Sequence, residues 1–200
     1  MTEERRASLK AWEGKYLSIG ITEAGEPVKS IRVPWKHDVN AYNMKTPDLW
    51  LSAGEVSDPA VAESLSRCRV VGCYCFAPLD SYAFLENFPH LRDLRIFKGE
   101  NLRDLSFMKG MGEWFQLHVE DAALEDISAA FPENWREKGL YSYCVAFVGC
   151  RVRDISPMIR EDIRLNELLI CQPEGTAEKE RWKPVRAGAY RYLEYRETKK

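Results

Sequence analysis

The chain has 200 residues and a formal net charge of -2, from 29 basic and 31 acidic side chains. This balance argues against the strong basic footprint of a nucleic-acid binder or of a protein that binds anionic membranes. The length fits one domain that buries a core without disulfides or metals. No apolar stretch has the length of a membrane span or of a signal-peptide core, so the sequence predicts a cytoplasmic protein.

The six cysteines do not follow a disulfide or metal-binding pattern. Cys73 and Cys75 would point to the same face of a strand, but there is no C-x-x-C pair, and the chain has only three histidines. These spacings do not match known zinc ligand patterns. We therefore expect no metal and no cofactor, and we expect the cysteines to be small buried side chains or free thiols.

Residues 1–46 form a predicted N-terminal capping region. Residues 15–21 alternate between apolar and polar side chains, residues 23–27 have turn chemistry, and residues 28–33 alternate again. Two alternating runs around a Gly/Pro turn predict a β-hairpin. Such a hairpin would cover the open end of a stack of repeats, since the terminal units of a stack must shield its core.

A short motif recurs along residues 47–172 in steps of 23, 23, 22 and 28 residues. A nearly fixed step of this size indicates stacked supersecondary units. Apolar side chains at every third position favour short 3₁₀ helices. One motif column contains aspartate in four of five copies, and we predict that it caps these helices. The motif begins at Val56, Leu79, Leu102, Leu124 and Val152, and the capping column is Asp58, Ser81, Asp104, Asp126 and Asp154.

Each motif follows a predicted strand with two inward apolar side chains. Alternation along a strand places the residues that flank this pair on the opposite face. The longest step contains an insertion with Trp135, which we expect to fold back on the convex side. The predicted inward pairs are Leu49 and Leu51, Val71 and Cys73, Leu94 and Ile96, Leu117 and Val119, Cys144 and Ala146, and Leu168 and Ile170.

The unit L-R-D-L-R-I at residues 91–96, followed by L-R-D-L-S-F-M at 102–108, resembles a leucine-rich repeat of the 22-residue, bacterial internalin type. The resemblance implies an α/β fold: a right-handed β-α superhelix with a concave parallel sheet of about six strands and short 3₁₀ or irregular convex segments. It also implies protein binding on the concave sheet. The chain departs from the family where Asn or Cys usually follows the strand, because that column contains Gly54, Phe76, Gly99, Ala122, Gly149 and Pro173.

Residues 173–200 form a predicted C-terminal cap or tail. Residues 173–180 are polar and typical of a loop, whereas residues 189–195 alternate with bulky tyrosines. The alternation predicts a closing strand. Together with the capping region and the repeats, this tail is expected to complete one compact domain.

The predicted concave face is rich in aromatic side chains with charges among them. Aromatic surfaces with a charged rim are typical of binding sites, so we predict a non-enzymatic module that binds a protein, with no nucleic acid or membrane as a partner. The candidate contact residues are Trp50, Tyr74, Arg95, Phe97, His118, Glu120, Tyr143 and Phe147.

Two alternatives remain open. The chain could be a self-associating structural or immunity-type protein that buries its aromatic face in a homo-oligomer. His118 and Glu120 on one strand face have acid–base potential, which would suit a small hydrolase-like enzyme. No nucleophile motif, phosphate loop or metal motif accompanies them, so we expect no catalysis.

Overall fold

The computed structural model describes residues 2–28, 46–111, 114–133, 135, 144–173 and 179–196. The chain has an α/β fold built on one eight-stranded parallel sheet. The strands are β1 Tyr16–Thr22, β2 Leu49–Ser52, β3 Arg69–Cys75, β4 Asp93–Ile96, β5 Gln116–Glu120, β6 Ala123–Leu124, β7 Cys144–Val148, β8 Arg151–Val152, β9 Leu165–Pro173 and β10 Ala187–Arg196. The α-helices are α1 Glu3–Lys10, α2 Ala53–Val56, α3 Pro59–Ser66 and α4 Lys179–Trp182.

The strand order of the large sheet is β10-β9-β7-β5-β4-β3-β1-β2. Every neighbouring pair is parallel. From β3 to β10, each later strand of this sheet is added on the same side of the one before it, as expected for units that repeat along the chain. The parallel sheet is therefore confirmed, and it has eight strands rather than about six.

β1 does not belong to a hairpin. It lies between β2 and β3 and pairs in parallel with both, so its two edges are already occupied. The prediction that this strand forms one arm of a β-hairpin is therefore wrong. Residues 29–33, which make up most of its second run, lie outside the described residues. The alternating pattern identified a strand correctly, but it carries no information about which distant strand becomes the neighbour.

Strand register follows the sequence prediction in the middle of the sheet. Leu94 lies beside Leu117, and Ile96 lies beside Val119. The register prediction is wrong at two other strands. Cys73 and Cys75, not Val71 and Cys73, align with the β4 pair. Val145 and Phe147, not Cys144 and Ala146, align with the β5 pair and with Leu168 and Ile170 of β9.

Four short 3₁₀ helices follow β3, β4, β5 and β7 in the chain, as predicted. They are Ala83–Asn87, Ser106–Gly110, Ser128–Ala130 and Ser156–Met158. In the first copy of the motif, an α-helix, α3, takes this place because Pro59 at its start and the following alanines favour an α-helix. Strands β6 and β8 form a second parallel pair, and an isolated parallel bridge joins Asp104 to Asp126.

The capping column is confirmed in all five copies of the motif. In each copy the side-chain oxygen accepts a hydrogen bond from the backbone N–H two residues later, at 2.7–3.2 Å. For Asp104, hydrogen bonds from the Ser106 side chain and backbone lower the pKa of the carboxyl group. These aspartates therefore stabilise helix starts and are not an array of catalytic acids.

The main core lies between one face of the large sheet and the helices. Leu17, Ile19 and Ile21 of β1 pack into it together with Val61 and Leu65 of α3. Trp135, in the insertion, is buried against Trp114 and Phe131, which confirms that its ring folds back into the protein. Strand β10 confirms the predicted closing strand, and Trp182 of α4 packs near Phe147.

Candidate functional site: the polar face and its carboxyl edge

The face of the sheet opposite the main core carries most of the predicted contact residues, and we call it the polar face. Its side chains come from alternate positions of the strands that contribute Leu94, Leu117 and Val145 to the core. The polar face consists of Ser18, Gly20, Trp50, Gly72, Tyr74, Phe76, Asp93, Arg95, Phe97, Gln116, His118, Glu120, Ala146, Val148, Leu169 and Cys171.

The central row of the polar face is buried. Tyr74 and Arg95 are 2% exposed, and His118 is 0% exposed. The expectation that these three side chains form an open contact surface is therefore wrong. Parallel sheets are usually covered on both faces, so alternation along a parallel strand does not imply that one face is open to solvent.

A hydrogen-bonded ion pair occupies the middle of this row. Arg95 donates to Asp93 through Nε at 2.9 Å and through Nη2 at 3.1 Å, and the Tyr74 hydroxyl donates to the same carboxylate at 3.2 Å. Burial raises the pKa of Tyr74, and the negative charge of Asp93 raises it further. The cluster satisfies a buried carboxylate with several donors, as a low-dielectric environment requires.

His118 lies beside this cluster and pairs with Glu120. Its Nε2 is 2.7 Å from Oε1 of Glu120, and the side chain of Glu120 is 15% exposed. The His118 ring also packs against Phe97, with ring centroids 5.2 Å apart. The pair thus joins the buried central row to the partly exposed end of the strands.

Three aromatic rings form a row across the sheet, and two of them, Phe76 and Phe97, directly follow the carboxyl ends of β3 and β4. Phe76 and Phe97 stack with centroids 4.8 Å apart and an interplanar angle of 4°, and Trp50 stacks on Phe76 at 5.8 Å. All three residues are partly exposed. We call Trp50, Phe76 and Phe97 the aromatic row. It is the part of the predicted surface that remains accessible to a partner.

Gly20 makes the aromatic row possible. A Cβ atom at this position would lie 2.6 Å from the Trp50 ring and 2.9 Å from Pro47. Because β1 separates β2 from β3, Trp50 must reach over β1 to stack on Phe76. A side chain at residue 20 would obstruct that contact, so the glycine is explained by a close approach of side chains.

Acidic residues lie beside His118, near the Phe97 end of the aromatic row. Glu120 lies two residues after His118 on β5, and Asp121 comes directly after Glu120. Glu100 is brought near them because the N–H of its neighbour Gly99 donates to the Glu120 carbonyl at 3.0 Å. Neighbouring protein groups partly desolvate the carboxyl group of Asp121 and raise its pKa although the residue is exposed, and the negative charges of Glu120 and Glu100 raise it further. We call Glu100, Glu120 and Asp121 the acidic rim.

The predicted contact residues thus occupy different environments. Trp50, Phe97 and Glu120 are partly exposed, whereas Tyr74, Arg95 and His118 lie in the buried row. The prediction that Phe147 lies on this face is wrong, because its side chain is 0% exposed and lies in the main core beside Ile170 and Trp182. Tyr143 lies outside the described residues.

Sequence reasoning missed Phe76, Glu100 and Asp121. Phe76 was recoverable, because taking Cys73 and Cys75 as the inward pair of β3 places Phe76 beside Phe97. Applying the 28-residue motif step to Leu117 would likewise have given Val145 as the inward residue of β7 and moved Phe147 into the core. Glu100 and Asp121 had no such signal, since loop residues have no strand periodicity.

A cavity of about 550 Å³ lies away from the polar face, among the 3₁₀ helices. Its lining includes Met108, Met111, Trp114 and Phe131. Arg160 at this cavity already donates to the carbonyls of Phe131 and Pro132 and to Asp162. Within the described ranges, no group of three or more His, Cys, Asp or Glu side chains is arranged to hold a metal ion.

No protein-family model matches the chain, and no curated protein and no solved structure matches it. Among the helices that the structure describes, none has both the length and the apolar character needed to cross a membrane.

Proposed function

We propose that the chain is a short, irregular leucine-rich-repeat solenoid that binds a protein through the carboxyl edge of its sheet. The partly exposed aromatic row beside the acidic rim carries the functional proposal, because aromatic side chains with a polar surround dominate protein interfaces. The sheet provides a rigid base for these rings, which limits the entropy lost on binding.

Contacts between successive units support the solenoid assignment. With the corrected register, Cys150 occupies the position where leucine-rich repeats place Asn or Cys. Its thiol donates to the carbonyl of Val119 on the neighbouring strand at 3.2 Å. Gly99 and Gly149 donate backbone hydrogen bonds to Glu120 and Cys171, so backbone groups link units that have no Asn side chain.

The environment of the cysteines supports a cytoplasmic location. Cys73 and Cys75 are buried free thiols whose sulfur atoms lie 3.8 Å apart, and Cys68 and Cys150 are also free thiols. Neighbouring free thiols suit a reducing compartment. Burial raises the pKa of Cys150 to about 12, so this thiol is held in its neutral, unreactive form.

Affinity capture with two matched phenylalanine variants tests the binding edge. Phe97→Ala removes a ring from the aromatic row, whereas Phe115→Ala removes an exposed ring next to the amino end of β5. We expect Phe97→Ala to lose at least one protein that the unmodified chain and Phe115→Ala both retain. Equal retention by the two variants would exclude the aromatic row as the binding site.

Self-association is the second candidate function, and an open strand supports it. β10 is a ten-residue strand at one side of the large sheet, and its outer edge has no partner strand among the described residues. Unpaired edges of this kind can pair with another chain. Sedimentation at micromolar concentration tests this candidate, and a strict monomer would exclude it.

A further inference from the structure

The dimensions of the aromatic row restrict what it can bind. Trp50 lies on β2 and Phe97 directly follows β4, with β1 and β3 between these two strands. Three strand spacings correspond to about 14 Å, which an extended peptide of about four residues spans. The row therefore suits a short extended segment better than a compact small molecule.

The charges near the row indicate the sign of that segment. Glu100 and Asp121 are exposed, and Glu120 is partly exposed. Of the nearby cations, Lys98 pairs with Glu23 at 3.1 Å, and Arg95 is buried in its bidentate pair with Asp93. Glu120 and Glu100 lie close enough to Asp121 for their negative charges to raise its pKa, as expected for neighbouring carboxylates.

Backbone geometry holds the acidic rim in place. Asp121 has a left-handed φ of 57°, and its N–H donates to the Val148 carbonyl at 2.9 Å. Its Oδ1 atom lies 2.5 Å from where a Cβ on Gly149 would be, so the carboxylate rests against a position that only glycine leaves open. The backbone that carries this negative charge is thus held beside the carboxyl ends of β5 and β7.

We propose that the carboxyl edge binds a basic, extended segment of a partner protein, with lysine or arginine side chains lying along Phe76 and Phe97 and reaching the acidic rim. This inference rests on the proposed function and adds the chemistry of the partner. The alkyl part of a lysine or arginine packs against aromatic rings, and its charged end is attracted both to ring faces and to carboxylates. An acidic segment or a nucleic-acid backbone would be repelled by the same rim.

Peptide selection on the immobilised full-length chain tests the proposal. Random dodecapeptides displayed on phage are the probe, and an enriched peptide is then synthesised together with an analogue in which glutamine replaces lysine and arginine. We expect lysine and arginine to be enriched and the analogue to bind at least about tenfold more weakly, since exposed ion pairs and steering are lost. Enrichment of acidic or uncharged peptides would overturn the proposal.

Two double variants with the same change in charge locate the effect. Glu100→Gln with Asp121→Asn neutralises the two exposed carboxylates of the acidic rim, and asparagine tolerates the left-handed backbone at residue 121. Glu86→Gln with Glu125→Gln neutralises two exposed acids near the 3₁₀ helices. We expect the first pair of substitutions to lower the affinity for the enriched peptide about tenfold and the second pair to leave this affinity unchanged. Equal affinities in the two variants would contradict the inference, and circular dichroism checks that both remain folded.

The phenylalanine variants separate failure of this inference from failure of the proposed function. If Phe97→Ala abolishes peptide binding but neutralising the acidic rim has no effect, the edge binds proteins and the basic chemistry is wrong. If Phe97→Ala and Phe115→Ala bind the peptide equally well, both the binding edge and the inference are wrong.

Discussion

The central row and the carboxyl edge of the polar face use the same strands for different purposes. Tyr74 of β3, Arg95 of β4 and His118 of β5 lie two residues before Phe76, Phe97 and Glu120, and the two phenylalanines directly follow their strands. The first three are buried in a polar network, whereas the second three are partly exposed. A step of two residues along a strand preserves the face, so only the surroundings of each row distinguish a structural cluster from an accessible surface.

The comparison also changes which residues are useful for testing function. Removing Arg95 would leave the carboxylate of Asp93 buried without its ion partner, so a loss of binding would be confused with a loss of folding. Phe97 and the acidic rim avoid this problem because they are partly or fully exposed. Stability measurements on the central row, on the contact between Trp50 and β1 and on the distant helix caps can separate these roles.

The largest effect is expected in the central row. Arg95→Ala should lower the free energy of unfolding by about 3–5 kcal/mol, because it leaves a buried charge uncompensated. Arg151→Ala removes an exposed arginine from β8 and should change stability by less than about 0.5 kcal/mol. Urea denaturation measures both values. A loss below about 1 kcal/mol for Arg95→Ala would mean that the central row is not a structural cluster.

An intermediate effect is expected at Gly20 of β1, over which the ring of Trp50 lies. Gly20→Ala should lower stability by about 1–3 kcal/mol, because the added methyl group collides with the Trp50 ring and Pro47. Gly54→Ala is the matched control. A Cβ there meets nothing within 4 Å, so alanine in α2 should raise stability by about 0.4–1 kcal/mol. Equal responses of the two variants to thermal denaturation would show that Trp50 does not lie over β1.

The smallest effect is expected at the helix caps, which touch neither row. Asp104→Ala should cost about 1 kcal/mol, whereas Asp104→Asn keeps an acceptor for the Ser106 N–H and should cost less. The pKa of Asp104 is lowered in the folded state, so its negative charge stabilises the protein at pH values above 3.8, the ordinary pKa of the group.

This contribution is lost as the pH falls through the folded-state pKa, below 3.8. The stability difference between the unmodified chain and Asp104→Asn should therefore be constant near neutral pH and shrink under acidic conditions. Denaturation at a series of pH values measures it. A difference that does not depend on pH would show that the cap acts through geometry alone.

The sequence allowed good predictions where local patterns were unambiguous. Leu94 and Ile96, like Leu117 and Val119, alternate with charged or polar residues, so one register is clearly favoured. Around Phe147 all residues of β7 are apolar or small, and around Cys73 the strand is similarly uniform. Two registers fit such segments equally well, which is why these two strands were misaligned.

The candidate site was predicted only in part for a related reason. Trp50, Phe97 and Glu120 were identified correctly as members of the polar face, because alternation fixes the face of each strand. Whether that face is covered depends on the rest of the chain, and alternation carries no information about it. Loop residues such as Asp121 join the site only because neighbouring strands end at the same edge.

The sequence by itself determined the repeating strand units, the 3₁₀ helices and their aspartate caps. These depend on contacts between residues a few positions apart, which the amino-acid pattern specifies directly. Only the tertiary structure decided that β1 lies between β2 and β3, that Trp50 reaches over Gly20 to Phe76, and that the central row is buried. These outcomes depend on pairing between strands far apart in the chain and on which surfaces cover each other, and no local pattern encodes them.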